Sequence, residues 1–247
     1  MRLDVFFAPN QVKPADTAGR LVIIVDVLRA STTVATALGN GAKTVIPLEG
    51  PDDVITRSKE FARSQTLLAG EQKMHPITGF DLGNSPQAFT PEVVEGKTIL
   101  LTTTNGTHAL LGVQGARDIV VASYVNFTAV LALMRGAASS NTDIAIICAG
   151  EEGSFTLEDS ACAGRYVKAI PKRATLTIND AAAASVLIEK KYGDNIAKVF
   201  KESTHGQALQ SAGFGDDLAA AAEVDAYPVV PIWQDRQITK LGPERER

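Results

Sequence analysis

Short apolar runs recur along the chain, and segments with helical spacing of apolar residues lie between them. The run at residues 21–25, Leu-Val-Ile-Ile-Val, is apolar at every position and too short for a buried helix. It therefore indicates a strand that is covered on both faces. Similar patterns predict further strands at residues 2–7, 44–47, 67–71, 98–101, 118–122, 143–147 and 229–232.

Helices are predicted between these strands, at residues 34–38, 52–64, 129–136 and 181–193, with further helix starts near residues 107 and 159. Strands and helices that alternate in this way indicate a three-layer α/β/α architecture with a largely parallel or mixed sheet. The 247 residues fit one domain at residues 1–240, with two closely packed lobes as the open alternative, followed by a frayed tail at residues 241–247.

Three units share one pattern, in which a strand leads into a loop of small and charged residues and then into a helix; they begin at Leu21, Thr98 and Asp143. A fourth segment, residues 72–91, is a long loop without predicted secondary structure, which is typical of a functional loop or a lid. In open α/β sheets, ligands bind beyond the carboxyl ends of the strands. We therefore expect the loops at residues 26–33, 70–86, 103–107 and 148–159 to converge on one crevice.

The loop at residues 103–107, Thr-Thr-Asn-Gly-Thr, is the best candidate for an anion cradle. It follows an apolar strand and precedes an Ala/Leu-rich helix start, so that its backbone N–H groups and hydroxyls face outward and its glycine allows close approach. The alternative, that these residues only cap the helix, stays open.

Charge and composition narrow the classes of partner. The net charge of −4 leaves no basic stripe for nucleic acid, and no stretch is long and apolar enough for a membrane anchor or a signal peptide. The two cysteines are too few for a disulfide framework. We therefore expect a cytoplasmic protein that binds neither nucleic acid nor membranes.

Two common phosphate-handling folds are excluded by their signatures. Gly96-Lys97-Thr98 resembles the end of a P-loop, but Pro91 stands where the first glycine is required. Asp26 is followed two positions later by Leu28, whereas the aspartyl-phosphate (HAD) phosphatases use Asp-x-Asp. The fold is therefore predicted to be neither of these.

Carboxylates cluster where the predicted strands end. Oxygen ligands with few histidines favour Mg²⁺, which takes one or two carboxylates and keeps water and phosphate as its other ligands. Arg29, close to hydroxyl residues, suits a phosphate, because its guanidinium can bind two oxygens. Structural alternatives stay open: Asp26 could cap a turn, Arg29 could pair with an acid, and Glu158 and Asp159 could serve the helix dipole. The carboxylates at strand ends are Asp26, Glu71, Asp81, Glu151, Glu158 and Asp159.

Seven segments, taken together and in order, resemble the 2-phosphosulfolactate phosphatase family from about residue 1 to residue 235. They are VDVLRASTT at 25–33, GE at 70–71, GFDLGNSP at 79–86, TTTNGT at 102–107, CAG at 148–150, LED with CAG at 157–164, and STHG at 203–206. Residues 72–75, Gln-Lys-Met-His, depart from the shorter glycine-containing link expected there, and Thr204 stands where a proline is common.

The resemblance implies an Mg²⁺-dependent hydrolase that converts 2-phospho-3-sulfolactate to 3-sulfolactate and phosphate on the route to coenzyme M, with a fold of its own. We expect Asn84 and Ser85 to close over the substrate and Arg29 or His205 to contact its sulfonate or carboxylate. The attacking group is either a water on the metal or a side chain such as Asp26. The predicted catalytic residues are Asp26, Arg29 and His205. The predicted metal ligands are Asp26, Glu71, Glu158 and Asp159. The predicted phosphate ligands are Arg29, Ser31, Thr32, Thr104, Asn105, Gly106 and Thr107.

Two other functions stay open: a phosphatase for another phosphorylated hydroxy acid, and a protein that binds a phosphorylated metabolite without hydrolysing it. A pure anion binder has no use for carboxylates beside its ligand unless a metal intervenes, which favours the enzyme. The expected partner is a small anionic phosphorylated substrate, and a homodimer is an open alternative for the assembly.

Overall fold

The computed structural model describes residues 1–171 and 176–242, in which a single sheet of eleven strands runs through the molecule. Of the tail predicted at residues 241–247, residues 243–247 lie outside the described residues. The strands are β1 (Arg2–Phe6), β2 (Leu21–Val25), β3 (Thr44–Pro47), β4 (Thr66–Gln72), β5 (His75–Pro76), β6 (Thr98–Thr102), β7 (Asp118–Ala122), β8 (Ile144–Cys148), β9 (Thr177–Ile178), β10 (Pro231–Gln234) and β11 (Gln237–Lys240).

Helices connect the strands. In chain order they are α1 (Pro14–Thr17), α2 (Ala30–Gly39), α3 (Pro51–Ser58), α4 (Pro91–Val94), α5 (Gly106–Leu111), α6 (Phe127–Ser139), α7 (Leu157–Ala169), α8 (Asp180–Tyr192), α9 (Ile196–Glu202), α10 (Thr204–Ser211) and α11 (Gly215–Ala222). Within the described ranges, none of them combines the length and the apolar character that crossing a membrane requires.

The sheet is covered on both faces, as its apolar strands predict. In β2 every side chain is buried: Leu21, Ile23 and Val25 pack into one apolar cluster, whereas Val22 and Ile24 pack into another. The first cluster includes residues of α6 and α7, and the second includes residues of α2 and α5. Because alternate residues of a strand point to opposite faces, the two clusters lie on opposite sides of the sheet. The three-layer α/β/α prediction is confirmed.

The sheet is mixed and has the order β5-β4-β6-β3-β11-β10-β7-β2-β8-β1-β9. One parallel block contains β4, β6 and β3, and a second contains β7, β2, β8, β1 and β9. The hairpin β10–β11 joins the blocks through three successive antiparallel pairings. The two parallel blocks therefore run in opposite directions across the hairpin.

Three local predictions need correction. The helix expected at 52–64 ends at Ser58, because the N–H groups of residues 59–61 bond to carbonyls three residues back instead of four, and this tighter turn packs Phe61 against Val54. The loop at 72–91 is not without structure, since it contains β5 and a 3₁₀ turn at Pro86–Ala88. The strand expected at 229–232 begins at Pro231 and is the first half of the β10–β11 hairpin.

Candidate active site

A cavity of about 240 Å³ lies where loops from five parts of the chain meet. The loops after β2, β4, β6 and β8 all contribute, and α10 adds a histidine. The predicted convergence of the four loops on one crevice is confirmed. The lining residues are Asp26, Leu28, Arg29, Glu71, Lys73, Met74, Asn84, Thr103, Thr104, Asn105, Glu151, Glu152 and His205.

Asp26 lies at the end of β2 with its carboxyl group held in place by α2. The Ala30 N–H donates to its Oδ1 at 3.1 Å, and its own N–H donates to Ser31 Oγ at 3.0 Å. Gly106, the first residue of α5, packs directly against it: a Cβ on Gly106 would lie 2.6 Å from Asp26 Oδ2. A glycine is therefore required for α5 to approach this carboxylate so closely.

The charge of Asp26 is poorly compensated in this environment. Burial raises the pKa of its carboxyl group from 3.8 to about 6, and repulsion by Glu71 and Glu158 adds to this rise. The positive charge of His205 and the Ala30 N–H oppose the rise without cancelling it. A cation beside Asp26 would stabilise its ionised form.

Glu71, near the end of β4, faces Asp26 from the other parallel block. The Thr104 N–H donates to Glu71 Oε1 at 2.8 Å, and the Met74 N–H donates to Oε2 at 2.8 Å. Each oxygen therefore accepts one backbone hydrogen bond and keeps lone pairs for a further partner. Glu71 also ties the predicted anion cradle to the β4–β5 turn.

The cradle at residues 103–107 has the predicted order of strand, turn and helix. Many of its donors are already used within the protein: the Thr104 N–H binds Glu71, and the Thr107 N–H donates to Thr103 Oγ1 at 3.2 Å. Asn105 accepts the Glu152 N–H at its Oδ1, at 3.0 Å. Thr107 is buried and closes the turn, whereas Thr104 is exposed and lines the cavity.

His205 reaches the cavity from α10, where Ser203 caps the helix by accepting the Gly206 N–H. Its Nδ1 lies 3.3 Å from Oε1 of Glu158, which is 1% exposed. Burial alone would lower the pKa of His205, but the hydrogen bond and charge of Glu158, with Glu151 and Asp26, raise it to about 9. His205 is therefore a protonated donor at neutral pH.

Glu158 and Asp159, at the start of α7, lie behind the cavity lining. Asp159 Oδ1 accepts the Val27 N–H at 2.8 Å, and its Oδ2 accepts the Gly150 N–H at 3.1 Å and the Thr156 hydroxyl at 2.9 Å. Asp159 thus ties the end of β2 to the end of β8. Burial, then repulsion by Asp26 and Glu158, raises the pKa of Asp159 well above its ordinary range. Glu158 Oε2 is buried without a hydrogen-bond partner among the described residues.

Arg29 lines the cavity, but acidic and aromatic partners hold it. Its Nη1 lies 2.8 Å from Asp217 Oδ2, its Nη2 donates to the Met74 carbonyl at 2.7 Å, and its guanidinium lies 4.3 Å from the centre of the Phe214 ring. The Ser85 hydroxyl donates to the other oxygen of Asp217 at 2.5 Å. The charge of Arg29 is therefore balanced within the protein.

The structure thus divides the predicted site residues into two groups. Several supposed ligands support the wall instead: Thr32 Oγ1 donates to the Val27 carbonyl at 2.7 Å, and Ser31 accepts the Asp26 N–H. The predicted roles of Ser31 and Thr32 as phosphate ligands are not tested, and these contacts within the protein do not favour them. Asp26, Arg29, Glu71, Asn84, Thr104, Asn105 and His205 line the cavity, and Ser31, Thr32, Ser85, Gly106, Thr107, Glu158 and Asp159 do not.

Sequence reasoning did not name Lys73, Met74 or Glu152 as site residues, and it named Glu151 only as a carboxylate at a strand end. Lys73 belongs to a segment that departs from the family pattern, so the motifs gave no signal for it. Asn84 was predicted, and its Oδ1 is buried in the wall without a hydrogen-bond partner among the described residues. This atom remains available to a ligand.

The donor set fits Mg²⁺ bound through few protein ligands. Asp26 and Glu71 line the cavity, and Asp26 Oδ2 accepts no hydrogen bond in the part of the chain that the structure describes. In residues 1–171 and 176–242 there is no group of three or more His, Cys, Asp or Glu side chains that could hold a metal ion together. Mg²⁺ needs no such cage, because it keeps several waters and binds substrate phosphate.

Comparisons with known proteins identify the family of this chain. A family model described as 2-phosphosulpholactate phosphatase matches residues 6–236. Proteins named "Probable 2-phosphosulfolactate phosphatase" are 37% identical over 231 residues in Caldanaerobacter subterraneus (94% of this chain, 95% of the relative) and 38% identical over 233 residues in Symbiobacterium thermophilum (93% and 98%). One from Clostridium acetobutylicum is 31% identical over 239 residues (96% and 100%). The chain therefore belongs to the 2-phosphosulfolactate phosphatase family.

Proposed function

We propose that this chain is an Mg²⁺-dependent phosphatase that hydrolyses the phosphate ester of 2-phospho-3-sulfolactate to give 3-sulfolactate and phosphate. One observation carries the proposal: within the span that the family model matches, Asp26, Glu71 and His205 come from three distant segments and line one cavity. The substrate is the one for which the family and its relatives are named.

The metal in this proposal is held by Asp26 and Glu71, with water and substrate as its other ligands. When bound, Mg²⁺ would supply positive charge to the phosphate oxygens and to these two carboxylates. The raised pKa of Asp26 supports this assignment, because it reflects a buried carboxylate without a sufficient cation. Glu158 and Asp159, predicted as ligands, would instead orient His205 and fix the position of the β2 end.

The remaining side chains bind the substrate and supply a proton. Thr104, Asn105 and Asn84 line the cavity with hydroxyl and amide groups that suit the phosphate oxygens, which carry much of the charge in a loose transition state. His205, protonated and fixed by Glu158, would donate a proton to the alcohol oxygen as the bond from phosphorus to that oxygen breaks. Water supplies the hydroxyl group that remains on the phosphate.

The biological setting is not tested by the structure. A place on the route to coenzyme M, a cytoplasmic location and a homodimer stay predictions. Each needs its own measurement.

The direct test is phosphate release from 2-phosphosulfolactate, 2-phospholactate and p-nitrophenyl phosphate, with Mg²⁺ present and then chelated. We expect release that needs Mg²⁺ and is fastest for the sulfonated ester. Equal rates for the three esters would support phosphatase activity but contradict 2-phosphosulfolactate as the specific substrate. No release from a folded protein would favour the metabolite-binding alternative.

A further inference from the structure

Three basic side chains line the cavity, and two of them are already matched by buried acids. Arg29 pairs with Asp217, and His205 pairs with Glu158. Lys73 has no carboxylate within ion-pair distance among the described residues. Lys73 is therefore the basic lining residue whose charge is left for an anionic group of a ligand.

The backbone at Lys73 is also unusual. Lys73 and Met74 form the two-residue loop of the β4–β5 hairpin, in which Gln72 pairs with His75, and they have φ values of 48° and 72°. Two-residue hairpin loops with positive φ at both positions favour Asn-Gly, because long side chains adopt this region at a cost. A strained conformation of this kind often marks a functional position.

This turn is fixed to the site on both sides. The Met74 N–H donates to Glu71, and the Met74 carbonyl accepts from Arg29. Lys73 is therefore presented from a loop whose backbone bridges a proposed metal ligand and a buried ion pair. Such a loop can position a side chain more precisely than a free surface loop.

We propose that Lys73 is a specificity-determining residue that binds the sulfonate of the substrate, an inference that rests on the proposed function. The site must accept two anionic groups besides the phosphate, and Arg29 and His205 already have acidic partners. A sulfonate presents three oxygens in a pyramid, which suits a compact ammonium with three donors. A planar carboxylate is better matched by a planar guanidinium.

The experiment compares wild type with K73N, K73R and R236N. Asparagine tolerates positive φ, so K73N keeps the turn and removes the charge. R236N is the matched control, because Asp235 and Arg236 form the loop of the β10–β11 hairpin with φ values of 52° and 61°, and neither residue lines the cavity. Both asparagine variants should raise Tm by about 2 °C through relief of backbone strain.

The measured quantity is the ratio of kcat/KM for 2-phosphosulfolactate to kcat/KM for 2-phospholactate. K73N should lower this ratio about tenfold, which corresponds to about 1.4 kcal/mol. K73R should keep most of this ratio, and R236N should leave it unchanged. An unchanged ratio in K73N, whether or not both rates fall together, would overturn the sulfonate assignment. If wild type hydrolyses neither ester, the proposed function fails, and the binding of 3-sulfolactate measured by calorimetry then tests Lys73 separately. Binding to K73N that is about tenfold weaker than to wild type would support the inference. Equal binding to the two proteins would overturn it.

Discussion

At the scale of single residues, charge pairing is the main feature of the site. The buried Arg29 and His205 each have an acidic partner, whereas Asp26 and Glu71 face the cavity with backbone N–H groups as their principal donors. Ionised carboxylates are costly to bury unless a cation or several donors compensate them. The two acids without a paired base are therefore the ligands that we propose for Mg²⁺, whereas the charges of Arg29 and His205 are matched within the protein.

The pair of His205 and Glu158 predicts a pH dependence of stability. The folded pKa of His205 is about 9, above its ordinary 6.5, so its contribution is complete below pH 6.5 and is lost as the pH rises through 9. In metal-free buffer, the free energy of unfolding should fall by about 3 kcal/mol over this range. H205Q should lose much less, and urea unfolding at several pH values would measure the difference. The same pH dependence in both proteins would contradict the assigned pairing.

The ion pair of Arg29 and Asp217 predicts a large effect on folding. Each side chain is 3% exposed, so that D217A leaves a buried guanidinium without its partner. We expect this variant to lose about 3–5 kcal/mol of unfolding free energy in urea titrations. D216A is the control: its side chain is exposed on the same helix, and it should change stability by about 0.5 kcal/mol or less. Equal losses in both variants would show that the pair does not stabilise the fold.

At the scale of elements, the contact between the start of α5 and the end of β2 determines the geometry of the site. A Cβ on Gly106 would lie 2.6 Å from both Asp26 Oδ2 and Ala30 Cβ. G106A must therefore shift α5 or the Asp26 carboxylate. We expect the variant to lose about 1–3 kcal/mol of stability by overpacking and to lower phosphate release by about tenfold to a hundredfold through misplacement of Asp26.

A second glycine gives the control for this prediction. Gly136 lies inside α6, and no atom outside its own helix would come within 4 Å of an added Cβ. G136A should raise stability by about 0.5–1 kcal/mol, because alanine favours the helix, and should leave phosphate release unchanged. If G106A behaved like G136A, the close approach of α5 would have no effect on the site.

The sequence was informative for elements with a strong local pattern. β2 and β8 are continuous apolar runs, and both were predicted within one residue of their observed bounds. β5, β9 and β11 were missed, because two to four residues carry too little periodicity to distinguish a strand from a loop. β11 in particular is defined by pairing with β3 and β10 rather than by its own residues.

For the site, the sequence identified which loops converge but not how their side chains pair. Asp26 and Glu71 lie at the ends of strands and His205 lies in the first turn of a helix, all three in recognisable sequence segments. The partner of Arg29 could not be predicted, because Asp217 is 188 residues away in the chain and lies on a short helix with no motif of its own. The position of Lys73 at the site depends on a turn in which both loop residues have positive φ, a conformation that lysine and methionine disfavour.

At the scale of the whole molecule, the site depends on how two halves of the sheet meet. The block containing β4 and β6 runs opposite to the block containing β2 and β8, so their carboxyl ends do not share one straight edge. Neighbouring strands rotate by about 20–25°, and this twist accumulates across the central hairpin. A twist of this kind accounts for the meeting of the loops after β2 and β6 at one cavity. The predicted convergence was therefore correct, although it assumed that the carboxyl ends of the strands share one edge of the sheet.

The measurement that tests the central claim most directly is phosphate release from 2-phosphosulfolactate by wild type, D26N and D52N, each with Mg²⁺ and with chelator. Asp26 lines the cavity, whereas Asp52 is exposed at the start of α3. We expect wild type and D52N to release phosphate only with Mg²⁺ and D26N to be at least about a hundredfold slower, with circular dichroism showing that all three are folded. Release by D26N at the wild-type rate would show that the reaction does not take place at this cavity.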